Sequence, residues 1–240
     1  MSGHSKWSTI KRAKGAADAK RAAIFTKLGR AITVAAKEKG GDPTTNFGLR
    51  LAMEKAKAAN MPKDNIERAI KRGTGELQGE IIEEIYYEGF GPGGVAIVIK
   101  ALTDNKNRTS QSIKHIFTKF GGSLGGPNAV MWQFEKKGVI RIANEKLSDQ
   151  DELELKIIDL GAQDINKLSD SWVILTNVSD LQNVSKGIED IGMEVEYADL
   201  EYVAKEFADV DENIIEKNQK LFEALDDDED VDDYYTNIKE

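Results

Sequence analysis

At Gly73-Thr74-Gly75 the chain changes character, and no other feature limits its possible folds so strongly. Upstream, apolar residues recur at three- and four-residue steps, the spacing of amphipathic helices; downstream come runs of Ile, Val and Tyr punctuated by glycine, the composition of strands. Charge reverses at the same place. Residues 1–74 carry 17 Lys and Arg against 6 Asp and Glu, a net of +11, whereas residues 75–240 carry 16 against 36, a net of -20. The whole-chain charge of -9 hides this division. A basic segment joined to an acidic body offers a polyanion one end of the molecule and repels it from the other.

The upstream part reads as an arm followed by three helices. Residues 1–17 mix Gly, Ser, Ala and Lys without a steady period and read as an extended or partly ordered arm. From Asp18 to about Lys39, Phe25, Leu28, Ile32 and Ala35 share one face, with Lys27, Arg30 and Lys37 opposite at about 100° per residue. Gly40-Gly41 stops this helix. A second runs from about Thr45 to Asn60, with Leu49, Ala52, Met53, Ala56 and Ala59 on one side. The third starts near Pro62, buries Ile66, Ala69 and Ile70, and turns Arg68, Lys71 and Arg72 outward.

Downstream, strands at 81–87 and 95–102 flank Gly89 to Gly94 as an antiparallel hairpin, followed by a helix from about Thr109 to Phe120 and a strand at 130–134. From Gly138 the order is strand 139–143, helix 148–161, strands 163–168 and 171–176, helix 179–191 and strand 194–203. That βαββαβ order is ferredoxin-like. A helix from about Asp211 to Leu225 and a strand at 234–238 then have no partner in this unit, so they return to the sheet begun at 81–134. The expected fold is α+β in three domains. Residues 1–75 form a basic three-helix bundle with its arm, residues 76–134 plus 206–240 a discontinuous α+β domain, and residues 135–205 a ferredoxin-like domain inserted in the second.

Several function classes are excluded by composition. With 40% hydrophobic residues over 240 positions the chain can bury several cores. No apolar run reaches 18 residues, and Met1 to Lys6 lacks the apolar stretch of a signal peptide, so no membrane partner and a cytoplasmic location are expected. The absence of cysteine removes disulfides, thiolate metal sites and thiol nucleophiles, leaving His4 and His115 as the imidazoles. Neither has a neighbouring Ser or Asp set that resembles a triad. Glu88 and Asp104 are the best carboxylates, but a turn role suits Asp104 beside Asn105 and Asn107. No catalytic residue, cofactor or metal site is therefore assigned, and the chain is read as a non-enzyme.

Three motifs have bland readings that fit better. Gly89 to Gly94 precedes a strand and lacks a following Lys-Ser/Thr pair, so it is a hairpin connection and not a phosphate loop. Asp226 to Asp233 has Val231 where a calcium loop needs Gly and Asn237 where it needs Glu, and is read as a solvated acidic turn. The ferredoxin-like unit shares its topology with an RNA-recognition motif, but Lys137-Gly138 is followed by aliphatic Val139-Ile140, and residues 135–205 carry 8 basic against 16 acidic residues. RNA stacking on that sheet is not expected.

The basic residues carry the functional signal. Lys6, Trp7, Lys11, Arg12 and Lys14 in the arm, with Lys20, Lys27, Arg30, Lys37, Arg68, Lys71 and Arg72 on the helices, are the candidate nucleic-acid-binding set, assisted by Lys106 and Arg108. Lys and Arg neutralise phosphates and release counterions, and Trp7 offers a stacking face. The competing reading is a solvated helix face. No helix carries a recognisable set of base-reading side chains, which favours contacts to shape and backbone. The acidic domains leave open a scaffold with a basic protein partner.

Longer words in the sequence resemble a family. Gly3-His4-Ser5-Lys6-Trp7, Gly40-Gly41-Asp42-Pro43 and Asn60-Met61-Pro62-Lys63-Asp64-Asn65-Ile66 are similar to those of the YebC/PmpR family. So, in order, are Tyr87-Glu88-Gly89-Phe90-Gly91-Pro92-Gly93-Gly94-Val95, Thr103-Asp104-Asn105-Lys106-Asn107-Arg108-Thr109 and Gly121-Gly122-Ser123-Leu124-Gly125. The resemblance implies three domains, the third inserted in the second, and a transcriptional regulator that binds DNA. It extends to the mitochondrial translational activator of cytochrome oxidase, which works with ribosomes, so ribosomal RNA is the alternative partner.

Overall fold

The computed structural model describes residues 18–143, 150–168 and 171–239. The helical segment consists of α1 (Asp18–Lys39), α2 (Phe47–Ala58) and α3 (Lys63–Gly73). Helix α1 ends where Gly40 takes a φ of +89°, a conformation without penalty for glycine, and donates its N–H to the Ala36 carbonyl at 2.9 Å. Buried Asn46 then ties two helix ends together. Its Oδ1 accepts the Leu49 N–H at the start of α2, while its Nδ2 donates to the carbonyls of Ala35 and Gly40 at the end of α1. The core of the segment is Leu28, Ile32 and Ala36 against Leu49, Ala52, Ala56, Met61, Ile66 and Ala69. Helices α1 and α3 cross so closely at Gly73 that an added Cβ would lie 2.4 Å from the Thr33 carbonyl. These helices match the expected positions to within two residues.

The remaining elements are β1 (Glu83–Phe90), β2 (Ala96–Thr103), α4 (Lys106–Lys119), β3 (Ser123–Leu124), β4 (Phe134–Ala143), α5 (Gln150–Asp159), β5 (Asp164–Lys167), β6 (Ser171–Thr176), α6 (Leu181–Asp190), β7 (Val195–Ala204), α7 (Glu212–Asp227) and β8 (Val231–Thr236). They build two four-stranded sheets, ordered β3-β1-β2-β8 and β5-β6-β4-β7. The β1–β2 hairpin is antiparallel and closes through a 3-10 turn at Pro92–Gly94. Strand β8 lies antiparallel to β2, so the end of the chain does return to the first sheet. The second sheet has the βαββαβ order of a ferredoxin-like unit.

The chain divides into two compact units: one spans the segments up to Phe134 and from Ala204 onward, the other Glu135–Val203. In the first, α4 and α7 cover the sheet with Ile113, Phe117, Leu221, Phe222 and Leu225 against Ile97, Ile99, Val231 and Tyr234. Each such side chain contributes about 1.5–3 kcal/mol when fully removed from water. The second unit buries Ile140, Ile142, Ile157, Trp172, Ile174, Leu181, Val184 and Ile188.

Several elements differ from expectation: β1 runs on through Phe90, β4 begins five residues early at Phe134 and β8 three early at Val231. The strand expected at 130–134 does not form. Instead Glu88, on β1, accepts the backbone N–H groups of Asn128, Val130 and Met131 at 2.7–2.8 Å, which diverts these amides from a ladder and leaves a 3-10 turn at Met131–Gln133 before β4. Helix α4 begins three residues earlier than expected, because Asn105 caps it by accepting the Arg108 N–H at 3.1 Å.

Candidate nucleic-acid interface

The basic residues of α1 and α3 have the same chemistry and different surroundings. On α1, the face opposite the bundle core is turned toward the first sheet at Lys27 and Arg30, which are half-buried and not solvated as expected, while Lys37 stays exposed. Lys27 Nζ donates to the Asp226 carbonyl at 2.6 Å. Arg30 Nη1 meets Asp230 Oδ1 and the Glu229 carbonyl at 2.7 Å each, and the Leu102 carbonyl at 3.4 Å. Lys37 Nζ lies 3.4 Å from the Ile82 carbonyl. The helix serves two layers, so a face free of core residues is not thereby a surface.

The counter-charge comes from Asp226 to Asp233, and the reading of that run as a solvated turn is corrected. Helix α7 extends to Asp227 and β8 starts at Val231, which carries the acids into the fold. Asp230 is buried and receives Arg30, Arg108 and Thr109 together. Arg108 Nη2 reaches both of its oxygens at 2.9 Å, and the Thr109 hydroxyl donates at 2.7 Å. Asp232 pairs with Lys100 at 3.3 Å, and Asp228 accepts from the Ser112 hydroxyl. Burial pushes the Asp230 carboxyl up, but the hydrogen bonds from Thr109 and Arg108 and the charges of Arg30 and Arg108 outweigh it, leaving its pKa below the usual carboxylate value.

The two residues expected to assist from the neighbouring domain are also paired. Lys106 Nζ lies 2.7 Å from Glu83, and that hydrogen bond raises the lysine pKa and lowers the glutamate pKa. Arg108 is raised by its hydrogen bonds to Asp104, at 2.7 Å, and Asp230. Asp104 thus holds Arg108, and Glu88 anchors a loop. His115 is exposed on α4.

Helix α3 is the contrasting case. Arg68, Lys71 and Arg72 are exposed, and none forms an ion pair with another described residue. Arg68 and Arg72 are four residues apart on one helical stripe and line a groove of about 450 Å³ between α1 and α3. Phe25, Gly29, Met61 and Glu80 also line it. Periodicity alone did not show this groove, since it depends on where two helices cross. Lys20 belongs to the first turn of α1. Lys6, Trp7, Lys11, Arg12 and Lys14 lie outside the described residues, as does His4. Among the described residues no helix is long and apolar enough to cross a membrane, and no group of three or more His, Asp or Glu is arranged to hold a metal ion.

Such an arrangement defines a class: a helical segment with exposed cations, followed by α+β domains of which one is ferredoxin-like. Comparison with known proteins is specific. The family model for the TACO1/YebC protein N-terminal domain matches residues 5–76, and that for the TACO1/YebC second and third domain matches residues 82–238. The chain belongs to the TACO1/YebC family. A "probable transcriptional regulatory protein" of Thermotoga petrophila is 51% identical over 239 residues, covering 100% of this chain and 94% of the relative. One of the same name from Chlorobaculum tepidum is 47% identical, covering 99% and 95%. The crystal structure of a conserved hypothetical protein from Aquifex aeolicus superposes with a TM-score of 0.84 at 41% identity, over 92% of this chain and 91% of that one.

Proposed function

We propose that this protein is a non-enzymatic, cytoplasmic regulator of gene expression that binds nucleic acid through its helical segment, as a transcriptional regulator on DNA. We propose also that residues 1–75 act as the binding domain and that the inserted unit is a separate one. The single observation that carries the reading is the row of exposed cations Arg68, Lys71 and Arg72 on α3, which form no ion pair with another described residue, in a segment of net charge +11. Three such cations can neutralise three phosphates, which makes binding strongly salt-dependent. The names of the relatives support regulation of transcription. Of the cations on this segment, Lys27 and Arg30 are spent on the protein itself, so they are not assigned to the interface, and nor are Lys106 and Arg108; Lys37, exposed with one long contact to the Ile82 carbonyl, stays a candidate. The arm residues remain part of the proposed footprint.

Ribosomal RNA is the other polyanion that the same cations fit. Titrating the purified chain against duplex DNA and against ribosomes at equal salt separates the two. Tighter binding to duplex supports the transcriptional reading, tighter binding to ribosomes replaces it with a translational one, and no binding to either removes nucleic acid from the account.

A further inference from the structure

The groove between α1 and α3 has a composition that the proposed phosphate contacts leave unexplained. Cations that only neutralise a backbone need no apolar partner beside them. Here Arg68 and Arg72 stand beside a recess of about 450 Å³ whose lining includes Phe25 and Met61. That volume falls in the range of small-molecule sites, about 300–1,000 Å³. Phe25 is only partly buried, packed against the bundle core while also lining the recess. The α1 side is opened by Gly29, where an added Cβ would have Met61 Cε as its nearest neighbour, at 3.7 Å.

We infer that this groove takes one unstacked nucleotide of a single-stranded segment, its phosphate held by Arg68 and Arg72 and its base resting against Phe25 and Met61. The inference rests on the nucleic-acid reading above and adds the form of the ligand. Bases of a duplex are stacked inside it and present edges and phosphates, whereas single strands, loops and bulges offer whole base faces to aromatic side chains. Arg serves such a site better than Lys because its planar fork meets a phosphate through two hydrogen bonds. Glu80 is the one carboxylate among the described residues that line the groove. It opposes the incoming phosphate and sets a limit on affinity.

The test uses the full chain, an RNA and a DNA single strand of about ten nucleotides, and the same sequence as blunt duplex, titrated at fixed salt. The expected result is preferential binding of the single strands. Phe25→Leu keeps an apolar side chain against the core but removes the ring, and is expected to weaken single-strand binding roughly tenfold while sparing the duplex. Gly29→Ala narrows the recess in a helix that the substitution favours, so weaker single-strand binding together with undiminished thermal stability is expected. Glu80→Gln, at an exposed position, is expected to tighten binding severalfold. If Phe25→Leu and Gly29→Ala leave single-strand affinity unchanged while loss of Arg68 and Arg72 weakens single strand and duplex alike, the groove holds no base; the inference falls and the phosphate-binding reading stands. If the wild type binds neither form, both fall.

Discussion

Helices α1 and α3 each carry three cations on a face away from the bundle core, and the structure gives these faces opposite fates. On α1, Lys27 and Arg30 meet the carbonyls and the carboxylate of residues 226–230, some 200 positions later in the chain. On α3, Arg68, Lys71 and Arg72 meet no acidic partner among the described residues. The lesson is that a basic stripe specifies a need for negative charge, not its source. An internal carboxylate stabilises the fold, whereas an external phosphate becomes a ligand.

The largest effect is expected where the internal source is removed. Asp230→Ala leaves Arg30 and Arg108 without their shared carboxylate in a partly buried setting, and is expected to lower the unfolding free energy by about 3 kcal/mol. Arg30→Gln removes one partner but leaves Arg108 on the carboxylate, for a loss of about 2 kcal/mol. Urea titrations measure both. Losses below about 0.5 kcal/mol would show that the α1 contacts are incidental, and the contrast with α3 would vanish.

A pH series sharpens the same point. The Asp230 pKa is depressed in the folded state, so its contribution is fully present above the ordinary value of 3.8 and is lost as pH falls through the lower folded-state value. The stability gap between the wild type and Asp230→Asn is therefore expected to be constant at neutral pH and to narrow only below pH 3.8. A gap that closed between pH 7 and 5 would assign the effect to another group. The smallest effect belongs to α3. Arg68, Lys71 and Arg72 changed together to Gln should shift stability by no more than about 0.5 kcal/mol, because they are exposed and form no ion pair among the described residues.

Much of this architecture was legible because it is local. Helix limits followed from Gly40 and Pro62, the ferredoxin-like unit from the order of its periodic segments, and the return of the last strand from the lack of any remaining partner. Other features were illegible for a common reason. Glu88 captures amides 40 residues away, and Asp230 captures Arg30 across 200. Spacing along the chain carries no record of such meetings. A run of acids longer than a turn requires, set in the same chain as a basic segment, was the available signal for Asp230. The groove beside Arg68 and Arg72 had none, since it is created by the crossing of two helices whose closeness depends on Gly73.

The central claim is that the α3 cations, and not Lys27 and Arg30 of α1, meet phosphate, and the salt dependence of binding tests it most directly. The slope of log affinity against log salt is to be measured for the wild type, for Arg68, Lys71 and Arg72 changed together to Gln, and for Lys27→Gln. On a duplex the α3 variant is expected to flatten the slope by up to about 2.7, from roughly 0.9 per phosphate, or by about 2.1 on a single strand at roughly 0.7, while Lys27→Gln leaves it unchanged. A slope that flattens for Lys27→Gln and stays the same for the α3 variant would contradict the account.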